Sequence, residues 1–224
     1  MVFDRELRIT GDGSYTLHIP EWDEQYHSKH GAIREALHVF IQEGLTCVLT
    51  HKEGPLSILE VGFGTGLNAI LTSLYAVEKD VELYYKTLEA YPVPIDFIRE
   101  LNFPEHLHFP QEQFLLLHEL SWEEDHNISA QFTFRKEQRR FEEINEKGVF
   151  DLIYFDAFGI RVQPELWTES LFQKLFNALK PGGVLVTYAS NGSARRALKA
   201  VGFNVEKIPG PPGKKEMMRA VKNG

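Results

Sequence analysis

The 224-residue sequence has one cysteine, Cys47, so no internal disulfide can staple it. No apolar run approaches the roughly 20 residues that a membrane-spanning helix needs, and MVFDRELRIT lacks the basic start and apolar segment of a secretory leader. Positive charge is scarce as well: 24 Lys and Arg face 32 Asp and Glu, a formal net charge of −8. That balance argues against a general nucleic-acid coat, whose affinity rests on cations that neutralise phosphates. Internal repeats and low-complexity linkers are also missing. The expectation is a soluble cytoplasmic protein without metal, built on one domain with an elaboration and long enough to bury a sizeable core.

What charge there is lies unevenly. From Asn191 to Gly224 eight basic residues (Arg195, Arg196, Lys199, Lys207, Lys214, Lys215, Arg219, Lys222) stand against Glu206 and Glu216, a net of +6, which leaves −14 on the rest. A basic end on an acidic body suits a local polyanion site; a solvated face is the alternative.

Periodicity alternates between strand and helix. SILEV (57–61) is a short buried run, and LNAILTSLYAVEK (67–79) carries apolar residues at helical spacing. ELYYKTLEA (82–90), FDLIYFDAF (150–158) and VLVTYAS (184–190) have strand character, while TESLFQKLFNALK (168–180) and SARRALKAV (193–201) read as helices, the first stopped by Pro181-Gly182-Gly183. Such alternation implies βαβ units and a doubly wound, mostly parallel α/β sheet. FNVEKI (203–208) and EMMRAV (216–221) are too close for a parallel crossover, so they form an antiparallel C-terminal hairpin at one sheet edge. Two regions depart from the alternation. Residues 1–55 form an N-terminal extension on the core, with strands ELRIT and YTLHI around the turn GDGS and a helix from about Ser28 to Glu43. Residues 56–224 form the main domain, with an insertion at about 104–149 in which QEQFLLLHEL fits a helix or a strand and AQFTFRK a strand.

The segment LEVGFGTGLN sets Gly62, Gly64 and Gly66 between a strand and a helix N-terminus, where glycine lets the backbone approach a ligand and the free amides favour a negative group. The pattern is G-x-G-x-G rather than the dinucleotide G-x-G-x-x-G, since Leu67 occupies the place of the third glycine. Glu89 ends the next strand, where a carboxylate can accept hydrogen bonds from ribose hydroxyls. Loop and acid together indicate a nucleoside cofactor without saying which. Asp156, in YFDAFG, closes the following strand of the series, at the strand ends where ligands bind in open α/β sheets. Trp167 is read as a packing anchor, His27 and His30 as surface or cap histidines, and Cys47 as a core residue.

In order along the chain, DGSYTL, DEQYHSKHGAIREALHVFI, EVGFGTGLN, YFDAF with PELWTESLF, LKPGGVLVTYASNGSARRALKAVGF and KIPGPPGKKEMMRA resemble the methyltransferase family that completes 5-methylaminomethyl-2-thiouridine at the wobble position of bacterial tRNA. The resemblance covers nearly the whole chain and implies a Rossmann-like class I methyltransferase in a stand-alone form, lacking the FAD-dependent oxidase to which the domain is often fused. It implies S-adenosylmethionine as cofactor, the tRNA anticodon region as partner, and a separate enzyme to supply the aminomethyl precursor. On the matching motifs, the implied cofactor residues are Tyr26, Ser28, Glu60, Gly62, Phe63, Gly64, Thr65, Gly66, Asn68, Glu89 and Asp156. Phe158, Arg195, Arg196, Lys214 and Lys215 are implied for the substrate. Ser28 has an alternative role as a helix N-cap.

Methyl transfer to an amine needs a neutral lone pair in line with the methyl group. An alkylamine of pKa about 10.4 costs roughly 4.6 kcal/mol to deprotonate at pH 7, and a carboxylate at about 3.9 is a poor acceptor for that proton. Asp156 is therefore expected to orient the amine rather than act as a strong base. A methyltransferase of the same fold acting on a small amine, and a non-catalytic nucleoside-binding protein, are the other readings.

Overall fold

The computed structural model describes residues 3–224. The N-terminal part begins with β1 (Glu6–Ile9), β2 (Tyr15–Ile19) and β3 (Glu24–Gln25), a small antiparallel sheet in that order. A continuous helix follows, as α1 (Ala32–Ala36), a π-helical stretch (Leu37–Thr46) and α2 (Cys47–Leu49). It starts and ends later than the expected 28–43, because Gly31, with φ 146°, is the residue that enters the helix. Ser28 is thus not the N-cap; its Oγ accepts from the His30 amide. Within the π stretch, Gly44 passes so close to the sheet that a Cβ would lie 3.1 Å from Val186 and 3.3 Å from Tyr154.

The main sheet is built from β4 (Leu56–Val61), β5 (Leu83–Leu88), β6 (Asp125–Ser129), β7 (Phe132–Glu137), β8 (Phe150–Phe155), β9 (Leu179–Thr187), β10 (Phe203–Pro209) and β11 (Glu216–Lys222). Its order is β10-β11-β9-β8-β4-β5-β7-β6. The five central strands β7, β5, β4, β8 and β9 are parallel, and antiparallel β6 and the β10–β11 hairpin flank them. The doubly wound α/β expectation and the terminal hairpin both hold. The stretch 104–149, expected as an insertion, supplies β7, an interior strand paired with β5. Pro181-Gly182-Gly183 lies within β9, where the register against β8 shifts, rather than ahead of that strand.

Helices α3 (Leu67–Lys79), α4 (Ile95–Arg99), α5 (Phe103–Leu107), α6 (Gln111–Glu119), α7 (Glu169–Ala178) and α8 (Gly192–Ala200) complete the fold. Two apolar layers lie on the two faces of the sheet. Along β4, Leu56 and Ile58 point to the layer that holds Ile70 of α3 and Phe40, whereas Leu59 and Val61 point to the layer of Phe172 and Leu198. This is the two-residue alternation of a strand buried on both sides. It also fixes Glu60 on the face of Leu56 and Ile58, beneath α3. The order of the chain reverses between β4 and β8, and the crevice beyond their carboxyl ends is where open α/β sheets take ligands.

Candidate active site

The turn after β4 is held from both sides. The amides of Gly62 and Phe63 donate to the Leu88 carbonyl at 3.0 and 3.2 Å, and Gly66 donates back to Phe63 at 2.9 Å. Gly62 has φ 103°, and a Cβ there would come within 2.8 Å of the Asp156 carbonyl oxygen, so the approach of the turn to β8 excludes a side chain. Glu89, just past β5, accepts from the Gly64 amide at 3.0 Å through Oε2 and from the Tyr91 amide at 2.8 Å through Oε1. Burial raises its pKa, and the Tyr91 and Gly64 amides pull the other way.

Asp156 follows β8 directly. Asn68, in the first turn of α3, donates Nδ2–H to Asp156 Oδ2 at 2.9 Å. No cation lies within ion-pair distance among the described residues; burial pushes the carboxyl up to about 7, with the Asn68 contact opposing. The expectation of an ordinary, weakly basic carboxylate is corrected: desolvation closes roughly half the gap to an alkylamine.

The N-terminal part and the hairpin turn close the other walls. Tyr26 packs edge-on against Phe158 with centroids 4.9 Å apart, and Arg5 Nε–H donates to the Tyr26 hydroxyl at 3.1 Å. Glu35 of α1 accepts from the Ser28 amide at 2.9 Å and from Lys214 Nζ at 2.7 Å. The Lys214 ammonium also sits 4.1 Å from the Tyr188 ring centroid, and the Tyr188 hydroxyl donates to the Ala157 carbonyl at 2.8 Å. The cleft between these walls has a volume of about 540 Å³, within the range of cofactor pockets.

Of the residues expected at the site, Tyr26, Ser28, Gly62, Phe63, Gly64 and Thr65 line this cavity, as do Asn68, Glu89, Asp156, Phe158 and Lys214. Glu60 does not. It is fully buried, accepts from Thr87 Oγ1 at 2.6 Å, and leaves Oε1 without a partner among the described residues; burial raises it to about 8, so behind the turn it is mostly a neutral acid at pH 7. Gly66 shapes the turn without facing the cavity, and Arg195, Arg196 and Lys215 stand outside it. Lys214 points inward to Glu35 instead of outward to solvent phosphates. Cys47 is half-buried and accepts from Arg219 Nη1 at 3.1 Å, so it is no core residue. His27 is no surface histidine either: its ring bridges Thr16 Oγ1 at 3.0 Å and Thr65 Oγ1 at 3.2 Å. Arg5, Glu35 and Tyr188 were missed. Glu35 alone left a signal, a carboxylate on the buried face of an amphipathic helix.

A family described as S-adenosyl-L-methionine-dependent methyltransferase matches residues 103–223, and the chain belongs to it. More particularly, the chain is 30% identical over 231 residues to the tRNA 5-methylaminomethyl-2-thiouridine biosynthesis bifunctional protein MnmC of Cupriavidus metallidurans, covering 93% of this chain and 32% of that one. The protein of the same name from Pseudomonas savastanoi pv. phaseolicola is 28% identical over 234 residues, covering 98% and 35%. The chain spans about a third of the length of these curated relatives. The crystal structure of MNMC2 from Aquifex aeolicus matches with a TM-score of 0.77 and 27% identity over 98% of this chain and 70% of that one. Spermidine synthase from Thermotoga maritima matches at 0.56 with 14% identity over 99% and 74%, a likeness of fold alone. The enzyme is therefore a methyltransferase that uses S-adenosylmethionine. The cavity fits that cofactor: a turn with no room for a Cβ, a carboxylate at the neighbouring strand end, and enough volume. No helix among the described residues is long and apolar enough to cross a membrane.

Proposed function

We propose that the enzyme methylates the aminomethyl nitrogen of 5-aminomethyl-2-thiouridine at the tRNA wobble position, giving the methylaminomethyl group. The observation that carries this reading is Asp156, a carboxylate raised to about 7 at the tip of β8 and lining the same cavity as the glycine turn. The names of the relatives support the tRNA substrate.

S-adenosylmethionine supplies an electrophilic methyl group on a sulfonium sulfur. Glu89 would hold the ribose hydroxyls, with Tyr26 and Ser28 covering the site from the N-terminal side. Asp156 accepts an N–H from the amine and orients its lone pair; Asn68 keeps that carboxylate turned into the cavity. The amine, neutral as it enters, would take the methyl group that the cofactor supplies, and the Asp156 carboxylate, at about 7 a far better acceptor than a solvated aspartate, would take the proton that the resulting secondary ammonium sheds. Phe158, edge-on to both Trp22 and Tyr26, would wall the base. Arg195, Arg196 and Lys215, outside the cavity, would meet anticodon-stem phosphates.

Incubation with methyl-labelled S-adenosylmethionine and tRNA from cells lacking this modification tests the reading. Label in the wobble nucleoside is expected. Cofactor binding with transfer only to free amines would favour a small-amine enzyme, a reading that Glu24, Glu35 and Glu165 on the cavity wall would suit. Binding with no transfer to either would sink both.

A further inference from the structure

The glycine turn has only two side chains, Phe63 and Thr65, since residues 62, 64 and 66 are glycines, all at positive φ. Such a sequence has little preference of its own for one shape. Backbone hydrogen bonds to Leu88 and Glu89 hold its first half, at Gly62, Phe63 and Gly64; side chains of the surrounding segments can grip it further through Phe63 and Thr65. Phe63 is 4% exposed, its ring against His118 at 4.7 Å and Phe134 at 5.8 Å. Thr65 is 2% exposed and is gripped at both oxygens by histidines from distant segments. His27 Nε2 is 3.2 Å from its Oγ1, and His118 Nε2 is 3.2 Å from its carbonyl oxygen.

We infer that His27 and His118 are positioning residues that set the shape of the cofactor-binding turn by clamping Thr65 between the N-terminal part and α6. The chemistry of the partners fits. A carbonyl only accepts, so His118 carries its proton on Nε2 and donates it. His27 lies between two hydroxyls, and a neutral imidazole, donating at one nitrogen and accepting at the other, satisfies both. Burial keeps both rings neutral, at about 4 for His27 and, with Lys136 adding repulsion, at about 3 for His118. Lys136 also donates Nζ–H to the His118 carbonyl, tying the last turn of α6 to β7. The clamp leaves no slack at the neighbouring glycine: a Cβ on Gly66 would lie 2.7 Å from His118 Nε2.

The inference rests on the cofactor binding at this turn, and one set of measurements separates the two. Calorimetry with S-adenosylmethionine on the wild-type chain checks the site; absence of heat would remove the premise itself. Against a binding wild type, His118→Leu is expected to weaken the cofactor about tenfold, the loss of one partly buried hydrogen bond and of the order it imposes. His118→Gln, whose amide N–H can still donate, should recover most of that loss. Amide exchange without cofactor should quicken at Gly64 and Gly66 in His118→Leu while β4 and α3 stay protected. Thr65→Val, which removes only the hydroxyl facing His27, should weaken binding several-fold and serves if His118→Leu does not fold. Wild-type affinity in His118→Leu or Thr65→Val, or a His118→Gln variant as weak as the leucine one, would overturn the clamp.

Discussion

Two aspartates stand at the two ends of β8, Asp151 within it and Asp156 just past it, and the two ends treat them in opposite ways. Asp151, near the start, is 2% exposed and accepts from Lys52, from Lys180 at 2.9 Å and from the Ser57 amide at 2.8 Å. Burial would raise its pKa, but the hydrogen bonds from Lys52, Ser57 and Lys180 outweigh it and hold the carboxyl below the usual value. Asp156, at the far end, receives one neutral amide from Asn68, and burial wins. The same side chain is thus a structural anion at the amino end of the strand and a proton acceptor just past its carboxyl end. The difference is whether cations have been brought to it.

The largest effect should come from the unpaired member. Asp156→Asn is expected to lower single-turnover methyl transfer on the order of 10³-fold, the scale of a lost general base, while calorimetry still finds cofactor binding. Asp151→Asn should leave the rate per folded molecule alone and cost about 2 kcal/mol in denaturant unfolding at pH 7, moderated because Lys52 and Lys180 still reach water. The signs with pH are opposed. The pKa of Asp151 is lowered on folding, so its contribution is present above the unfolded value and lost as pH falls through the folded one; the stability gap between wild type and Asp151→Asn, present at pH 7, should shrink as the pH is taken down through that range. The pKa of Asp156 is raised, so its contribution is full below about 3.8 and lost as pH rises through about 7. Ionising it costs stability and supplies the base, and kcat/KM should rise through a limb near pH 7 that Asp156→Asn lacks.

Glu60 sharpens the contrast, being a carboxyl with neither cation nor ligand. Its pKa is raised from 4.5 to about 8, so wild-type stability should decline from about pH 4.5 to 8, and Glu60→Gln should flatten that slope in thermal melts. The smallest effect belongs to the rim: Lys215→Ala or Arg195→Ala should each reduce the salt slope of tRNA binding by about 0.9 if it meets one phosphate.

Local signals were the legible ones. The helix at 67–79 falls where its apolar spacing and the preceding glycines put it, and the hairpin followed from a connection too short to cross over. Glu60 misled because a parallel strand buried on both faces has no exposed side to which an acid can be assigned; only the pairing with β5, which brings Thr87 opposite, reveals its setting. The π-helical stretch left no trace in the apolar pattern, since α and π spacings bury similar residues over so few turns. The walls of the cavity were hidden for another reason. Lys214 meets Glu35, and His118 meets Thr65, across long sequence separations that no local period encodes, so a lysine that the sequence offered to phosphate is already engaged within the fold.

Carboxyl-carbon NMR titration of β8 tests the central contrast most directly. The account predicts that Asp156 titrates near pH 7 and Asp151 below 4, with the Asp156 signal absent in Asp156→Asn. Two midpoints below pH 4 would contradict it, leaving the strand tip without the proton acceptor on which the proposed methyl transfer depends.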